Sequence, residues 1–269
     1  MGQEDGLSLH SSPFTLHSSE RNIKLVLEYD GSGYHGWQRQ AGSLSVQEVI
    51  ESRLGVMLGK RVGLRASGRT DAGVHAKGQV VNFHALTNLK PDEILRGLNS
   101  LLPGDIVVLS AEEVDESFHA RFSAVSKVYE YHILNRPVPS ALLRNYAWHV
   151  HRTLAVEPME ECLKRICGRN NFSAFMASGS KVSSTERDML RAELVRPGTD
   201  RLKFTYEANG FLRHMVRNLT GTIVEVGKGK RTTGDFERIM RSGDRRQAGM
   251  TAPGHGLYLM SVNYQQNGK

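Results

Sequence analysis

Residues 62–83 read Val62-Gly63-Leu64-Arg65-Ala66-Ser67-Gly68-Arg69-Thr70-Asp71-Ala72-Gly73-Val74-His75-Ala76-Lys77-Gly78-Gln79-Val80-Val81-Asn82-Phe83. The first five read as a short strand, and 78–83 read as another, with apolar residues at period two in part of the run. Between them one carboxylate, Asp71, sits in a glycine-bounded loop two residues after Arg69. Gly68 and Gly73 permit positive φ and close approach of a ligand. An aspartate in a turn is commonly only turn chemistry, so the flanking chain has to decide what Asp71 is for.

Outward from this loop the pattern is regular. Ile23, Leu25 and Leu27 alternate with Lys24, Val26 and Glu28 as in a half-buried strand, which ends at the turn Asp30-Gly31-Ser32-Gly33. The next loop, Tyr34-His35-Gly36-Trp37-Gln38-Arg39-Gln40, suits RNA, because aromatics stack on bases while Gln and Arg bond to edges and phosphates. It suits a plug for the end of the core equally well. Ser45 with Glu48 forms a capping-box pattern ahead of a helix carrying Val49, Ile50, Leu54, Met57 and Leu58, which stops near Gly59. After the Asp71 loop, a second helix starts near Pro91 and a strand covers 106–109. Strand, helix, two strands, helix, strand is the split βαβ order of ferredoxin-like domains.

The second half repeats that style without repeating the sequence. Ser126 to Ile133 reads as a strand with Tyr129, Tyr131 and Ile133 on one face. Tyr129 and Tyr131 are either a pair lining a common surface or two core tyrosines. A strand is expected over 146–151, where His149 and His151 share a face without a Cys/Asp/Glu cluster that would make them metal ligands. A helix follows from Pro158 to Ile166, then a flexible Ser/Gly/Lys stretch over 177–185 suited to a mobile substrate loop. Strands are expected near 190–195 and 202–207, then a helix over 211–226, and a last strand ends near Tyr264. In that helix Arg213 and Arg217 are four apart and share a face near the positive end of the dipole. Cations there imply a partner, either an internal carboxylate or a phosphate, unless they are simply solvated. Lys228, Lys230 and Arg231 form a compact basic cluster, and Arg241, Arg245 and Arg246 another.

Composition narrows the class. With 39% hydrophobic and 23% charged residues, the 269-residue chain is ordinary for a globular protein of about two domains. Its net charge of +7 and pI near 9.5 favour a polyanionic partner. Cys162 and Cys167 fit neither a CxxC pair nor a zinc half-site and point to buried thiols in a reducing compartment. No apolar run is long enough to span a membrane. Residues 1–21 read as a flexible leader rather than a signal peptide, so the cytoplasm is the expected location.

Several motifs taken together, in order along residues 23–264, resemble the TruA-type tRNA pseudouridine synthases. They are Tyr29-Asp30-Gly31-Ser32, Gly36-Trp37-Gln38-Arg39-Gln40, Ser45-Val46-Gln47-Glu48 and Gly68-Arg69-Thr70-Asp71-Ala72-Gly73-Val74-His75. Further on come Gly78-Gln79-Val80-Val81, Leu102-Pro103-Gly104-Asp105-Ile106, Phe118-His119-Ala120-Arg121-Phe122-Ser123 and Tyr129-Glu130-Tyr131. Arg213-His214-Met215-Val216-Arg217-Asn218 and Gly256-Leu257-Tyr258-Leu259 complete the set. Each is weak alone; the ordered set is specific.

The resemblance implies isomerisation of uridine to pseudouridine at positions 38 to 40 of the tRNA anticodon stem-loop, by a homodimer without cofactor or metal. It puts the catalytic aspartate at Asp71, the active-site tyrosine at Tyr129 and the active-site arginine at Arg217. Arg69, Arg39, Lys228, Lys230 and Arg231 are the expected RNA contacts beside Tyr129. A carboxylate partly shut away from water needs a cation to stay ionised, and Arg217 is the expected partner of Asp71. The expected fold is α+β: two ferredoxin-like halves, 22–113 and 114–265, whose mainly antiparallel sheets join. Helices pack on one side, and the active-site cleft lies between the halves. The rival readings are a non-catalytic structured-RNA-binding protein, which leaves Asp71 without a task, and a metal-dependent hydrolase with a phosphate loop at Gly68–Gly73. The second lacks a Gly-Lys-Ser/Thr run and clustered carboxylates.

Overall fold

A computed structural model describes residues 20–180 and 182–265. Most of the expected leader, residues 1–19, and Lys181 of the expected substrate loop lie outside the described residues; Glu20 and Arg21 already belong to the first strand.

Ile23, Leu25 and Leu27 are fully buried on β1 (Glu20–Tyr29) while Lys24 and Glu28 are not, as the alternation requires. Burying each such side chain is worth about 1.5–3 kcal/mol. α1 (Val46–Leu58) begins at Ser45, whose Oγ accepts from the Glu48 amide at 3.3 Å, and stops at Gly59 with φ 69°. β2 is only Arg65–Ala66, shorter than the expected strand, whereas β3 (His75–Leu86) is longer. α2 (Pro91–Leu101) and β4 (Ile106–Val114) complete a β-α-β-β-α-β run with the spatial order β4-β1-β3-β2.

The rest of the chain contributes β5 (Ala124–Asn135), β6 (Trp148–Val150), α3 (Val156–Ile166), β7 (Gly168–Asn171), β8 (Glu186–Val195) and β9 (Arg201–Ala208). α4 (Met215–Gly227), α5 (Thr233–Ser242) and β10 (Leu257–Tyr264) follow. The single sheet runs β4-β1-β3-β10-β5-β9-β8-β7, with β2 beside β3 and β6 beside β5. Pairing is antiparallel except for β5–β6 and β3–β10. The β3–β10 contact is two residues long, His75 opposite Tyr258 and Ala76 opposite Leu259. Every strand from residues 20–114 therefore lies on one side of that seam and every later strand on the other.

Three expectations are corrected. α4 starts at Met215, not near Phe211, because His214 sits at φ 62° and breaks the helical path. Arg213 therefore precedes the helix and does not share its face with Arg217. Cys167 is exposed while Cys162 is buried, so only one thiol is sequestered. α5 and β7 are additions: α5 hides behind its charges but carries a Thr232/Asp235 capping box and buries Phe236 and Ile239.

Candidate functional site

The Asp71 loop is held by β1 and by the loop that follows it. Tyr29 and Thr70 share a 2.7 Å hydrogen bond between hydroxyls, and the Trp37 amide donates to the Thr70 carbonyl at 2.9 Å. Gly73 takes φ 73°. Gly68 does not, which corrects the expectation for it, and a Cβ there would stand 3.1 Å from Lys127 Nζ, the movable end of a side chain. Gly36, at φ 93°, lies so close that a Cβ would meet the Thr70 carbonyl oxygen at 2.7 Å. Tyr34 and Trp37 are buried, which settles the aromatic half of their loop as core; Arg39 stays exposed, 3.8 Å from Glu48.

Where β3 leaves the loop, His75 is buried against the seam. Its Nδ1 is 3.1 Å from Asp30 Oδ1 and accepts from the Gly31 amide, and its Nε2 faces the Asn145 and His255 carbonyls. Tyr258 stacks on it at 4.7 Å. The loop is thus rooted in both sides of the sheet.

Asp71 meets the second half through α4. Arg217, in the first turn, donates Nη1 to Asp71 Oδ2 at 2.8 Å and Nε to the Ala252 carbonyl at 2.8 Å. Gly221 lets the 250–252 segment lie against α4, where a Cβ would collide with the Met250 carbonyl. This clasp fixes the guanidinium before any ligand arrives. The other oxygen, Oδ1, faces His214 Nε2 at 3.5 Å. His214 is the non-glycine residue with positive φ among the described residues, and such backbone strain concentrates at functional sites. Burial, opposed by the charge of Asp71, pushes its imidazole below the ordinary histidine range. Asp71, Arg217 and His214 are all partly exposed, at 28%, 16% and 26% of their side chains, so the pair is open to a ligand.

The two tyrosines separate cleanly. Tyr131 is fully buried and donates to the Pro253 carbonyl at 2.7 Å. Tyr129 has no hydrogen-bond partner for its hydroxyl among the described residues and packs edge-on against Phe211 at 5.0 Å. Burial, then the charges of Tyr29 and Asp71, push its phenol far up, so it is a neutral donor at the site. The structure thus brings Asp71 and Arg217 into direct contact, and Tyr129 lies near enough for the Asp71 charge to act on its phenol.

Arg69 is exposed on the same loop. The remaining expected RNA contacts stand at the end of α4 and are less uniform. Lys228 Nζ lies 5.2 Å above the Trp148 ring, Lys230 is exposed, and Arg231 donates to Glu225 at 2.6 Å. His214 is the residue the sequence reading passed over. It stood in the quoted motif, but nothing in a helical pattern announces a left-handed residue. His149 faces the Arg136 carbonyl at 2.8 Å and has no carboxylate partner among the described residues. No group of three or more His, Cys, Asp or Glu among the described residues could hold a metal.

The chain as a whole matches known proteins. The family model described as tRNA pseudouridine synthase matches residues 25–123 and 163–265. The chain is 44% identical over 244 residues to the tRNA pseudouridine synthase A of Thermoanaerobacter sp. (strain X514), covering 91% of this chain and all of that one. It is 43% identical over 245 residues to that of Acetivibrio thermocellus, again 91% and 100%, and 44% identical over 247 residues to that of Citrifermentans bemidjiense, 91% and 98%. The chain belongs to the tRNA pseudouridine synthase family, a family of isomerases. A crystal structure of an unknown protein from Galdieria sulphuraria matches 79% of the chain and 94% of its own at 10% identity and a TM-score of 0.22, too slight a likeness to bear on the fold.

Proposed function

We propose that the chain isomerises uridine to pseudouridine at positions 38, 39 and 40 of the tRNA anticodon stem-loop, with Asp71 as nucleophile and no cofactor. The observation that carries this reading is the 2.8 Å pair between Asp71 and a clasped Arg217 beside an uncommitted Tyr129 hydroxyl. The reaction breaks the N1–C1′ bond, turns the uracil over and joins C5 to C1′; the proton on C5 is lost and N1 gains one. Three routes are open to an aspartate: attack on C1′, addition to C6, and removal of the C2′ proton. Each needs a carboxylate oxygen within reach of the nucleotide; Arg217 engages Oδ2, while Oδ1 has only His214 Nε2 at 3.5 Å and stays partly exposed.

A target base in the stem must leave the stack at a cost of a few kcal/mol. Stacking against Tyr129 returns about 1–3 kcal/mol, and its hydroxyl then takes part in removing the C5 proton. Arg69 holds the extruded nucleotide or its backbone. Arg39, Lys228, Lys230 and Arg231 contact phosphates farther out, with Arg231 shared with Glu225. Residues 177–180, where the Ala177 amide donates to the Arg213 carbonyl at 2.9 Å, border the substrate.

The architecture that fits this chemistry is two ferredoxin-like halves, 22–113 and 114–265, with helices on one side and the site in a cleft where they meet. The order of the later strands supports it: leaving out β6 and β7, β5, β8, β9 and β10 lie as β10-β5-β9-β8, the same fourth-first-third-second order as β4-β1-β3-β2. The protein then works as a cytoplasmic homodimer.

Asp71→Asn tests the nucleophile. With tRNA carrying tritium at uridine C5, the variant binds tRNA but releases no tritium; continued release refutes the role given to Asp71. Tyr129→Phe and Tyr131→Phe test the tyrosine: turnover is lost in the first, and loss only in the second shows the wrong member was chosen. Mapping pseudouridine in total tRNA with and without the protein checks positions 38–40.

A further inference from the structure

Cations scattered through the sequence gather beside the Asp71 loop without carboxylate partners among the described residues. Lys127 projects from the Tyr129 face of β5, half-buried, and donates to the Ser67 carbonyl at 2.5 Å. Ala208 pairs with both Lys127 and Met189, so Arg187, two residues before Met189, shares that face one strand farther on. Arg187 donates Nη1 to the Ser184 and Glu186 carbonyls, and Nε and Nη2 have no partner among the described residues. Burial, then the charges of Arg121 and Arg187, push the Lys127 ammonium down to about 8. Lys127 and Arg187 share one face of the sheet, and the charges of Arg121 and Arg187 both act on Lys127, an arrangement that favours an anion.

Next to them stands Phe122, 76% exposed. Its loop is not loose. The Ala120 amide donates to buried Asn82 at 2.9 Å, Tyr264 donates to the Ala120 carbonyl at 2.7 Å, and the Arg121 amide donates to His119 Nδ1 at 3.1 Å. Arg121 lies 5.5 Å over the Phe122 ring, and the His119 ring is 4.4 Å away. Phe118 of the same segment packs against the core. A rigid turn that buries one phenylalanine and displays the other beside unpaired cations has the make-up of a stacking platform with a phosphate contact.

We propose that Arg121, Phe122, Lys127 and Arg187 form a second nucleotide subsite: the three cations hold a backbone phosphate next to the target nucleotide, and Phe122 stacks on a neighbouring unpaired base. The inference rests on the RNA-isomerase reading above.

The test uses the full chain and a synthetic anticodon stem-loop RNA, with Kd measured from about 50 to 200 mM salt and with kcat and KM from tritium release. Lys127→Met and Arg187→Gln each lower the log–log salt slope by about 0.7–0.9, one contact's worth. Their loss of kcat/KM falls mainly on KM. Phe122→Ala weakens binding about tenfold at every salt concentration and leaves the slope as it was. Unchanged slopes in both charge variants, or wild-type binding by Phe122→Ala, overturn the subsite. Should Lys127→Met fail to fold by circular dichroism, Arg121→Gln takes its place with the same expected slope. Failure of the underlying reading looks different: the wild-type chain then forms no pseudouridine.

Discussion

Two basic regions of this molecule look alike in net charge and differ in what faces them. Between Lys228 and Arg246 the cations are close in sequence but largely engaged inside the chain. Arg231 pairs with Glu225 and Arg246 with Asp244, while Arg245 donates to the Ala248 and Gly249 carbonyls and to Asn218 and Thr251. Around the Asp71 loop, Arg65, Arg69, Arg121, Lys127 and Arg187 come from three separate stretches of sequence and have no carboxylate partner among the described residues. A run of like charges is therefore a poor guide to a binding surface. A surface cation next to an acid on its own helix or turn is half neutralised before any ligand comes, whereas an unpaired one keeps its full attraction for a phosphate.

The strongest way to break this contrast is at Arg217, the paired cation whose pairing serves the site. Arg217→Gln removes the partner of Asp71 and is expected to lower kcat by about 10²–10³, the scale of losing one fixed charge-stabilising donor. Arg217→Lys keeps the charge but loses the fork that reaches both Asp71 and Ala252, and recovers only part. If both variants change KM alone, the guanidinium serves binding and belongs with the unpaired group.

His214 sharpens the same point from the other oxygen of Asp71. Its φ of 62° costs about 1–3 kcal/mol in a non-glycine residue. His214→Gly is expected to raise Tm by about 2 °C and to slow turnover about tenfold through a less restrained Asp71. A rise in stability without loss of turnover would make the strain incidental.

These two residues also mark where the sequence stopped being legible. β1, α1, α2 and β10 followed from alternation, caps and Pro/Gly punctuation, because there local preference and tertiary packing agree. Asp71, Tyr129 and Arg217 were reachable only as members of an ordered motif set, since their approach depends on a two-residue seam between His75–Ala76 and Tyr258–Leu259. The start of α4 was misplaced because residues 211–214 carry an apolar spacing that suits a helix, while His214 takes a left-handed conformation that no pattern encodes. α5 was hidden by its charges. The unpaired cations could not be grouped at all: register alone puts Lys127 and Arg187 on one face.

Arg245 and Arg231 test the paired side of the comparison at smaller scale. Arg245→Gln removes the donor to the Ala248 and Gly249 carbonyls and one of two donors to Asn218 Oδ1, which Thr251 still bonds; this costs about 2 kcal/mol and lowers Tm by about 5 °C. Its salt slope for RNA stays that of the wild type. Lys230→Gln is expected to lower the slope by about 0.7–0.9, and Arg231→Gln by less, because Glu225 competes for its guanidinium. A larger change for Arg231 than for Lys230 would show that internal pairing does not predict which cations reach RNA.

The smallest effect is a dependence on pH at Lys127, and it separates stability from binding. Its folded-state value near 8 lies below the 10.5 of an ordinary lysine. Between those values the folded chain holds fewer protons than the unfolded one, so this position's contribution to stability rises with pH. Below about 8 both states are charged, and burial of the ammonium against Arg121 and Arg187 costs its full amount. Lys127→Met carries no such charge, so its advantage in urea unfolding should be greatest near neutrality and shrink at about pH 9.5. RNA affinity moves the other way. The wild type loses its ammonium as pH rises and approaches the Met variant, the loss being delayed because a bound phosphate holds the proton. Arg187→Gln keeps that pH dependence. A Lys127 that only supports the Ser67 carbonyl would move stability with pH and leave the affinity ratio of the two proteins constant.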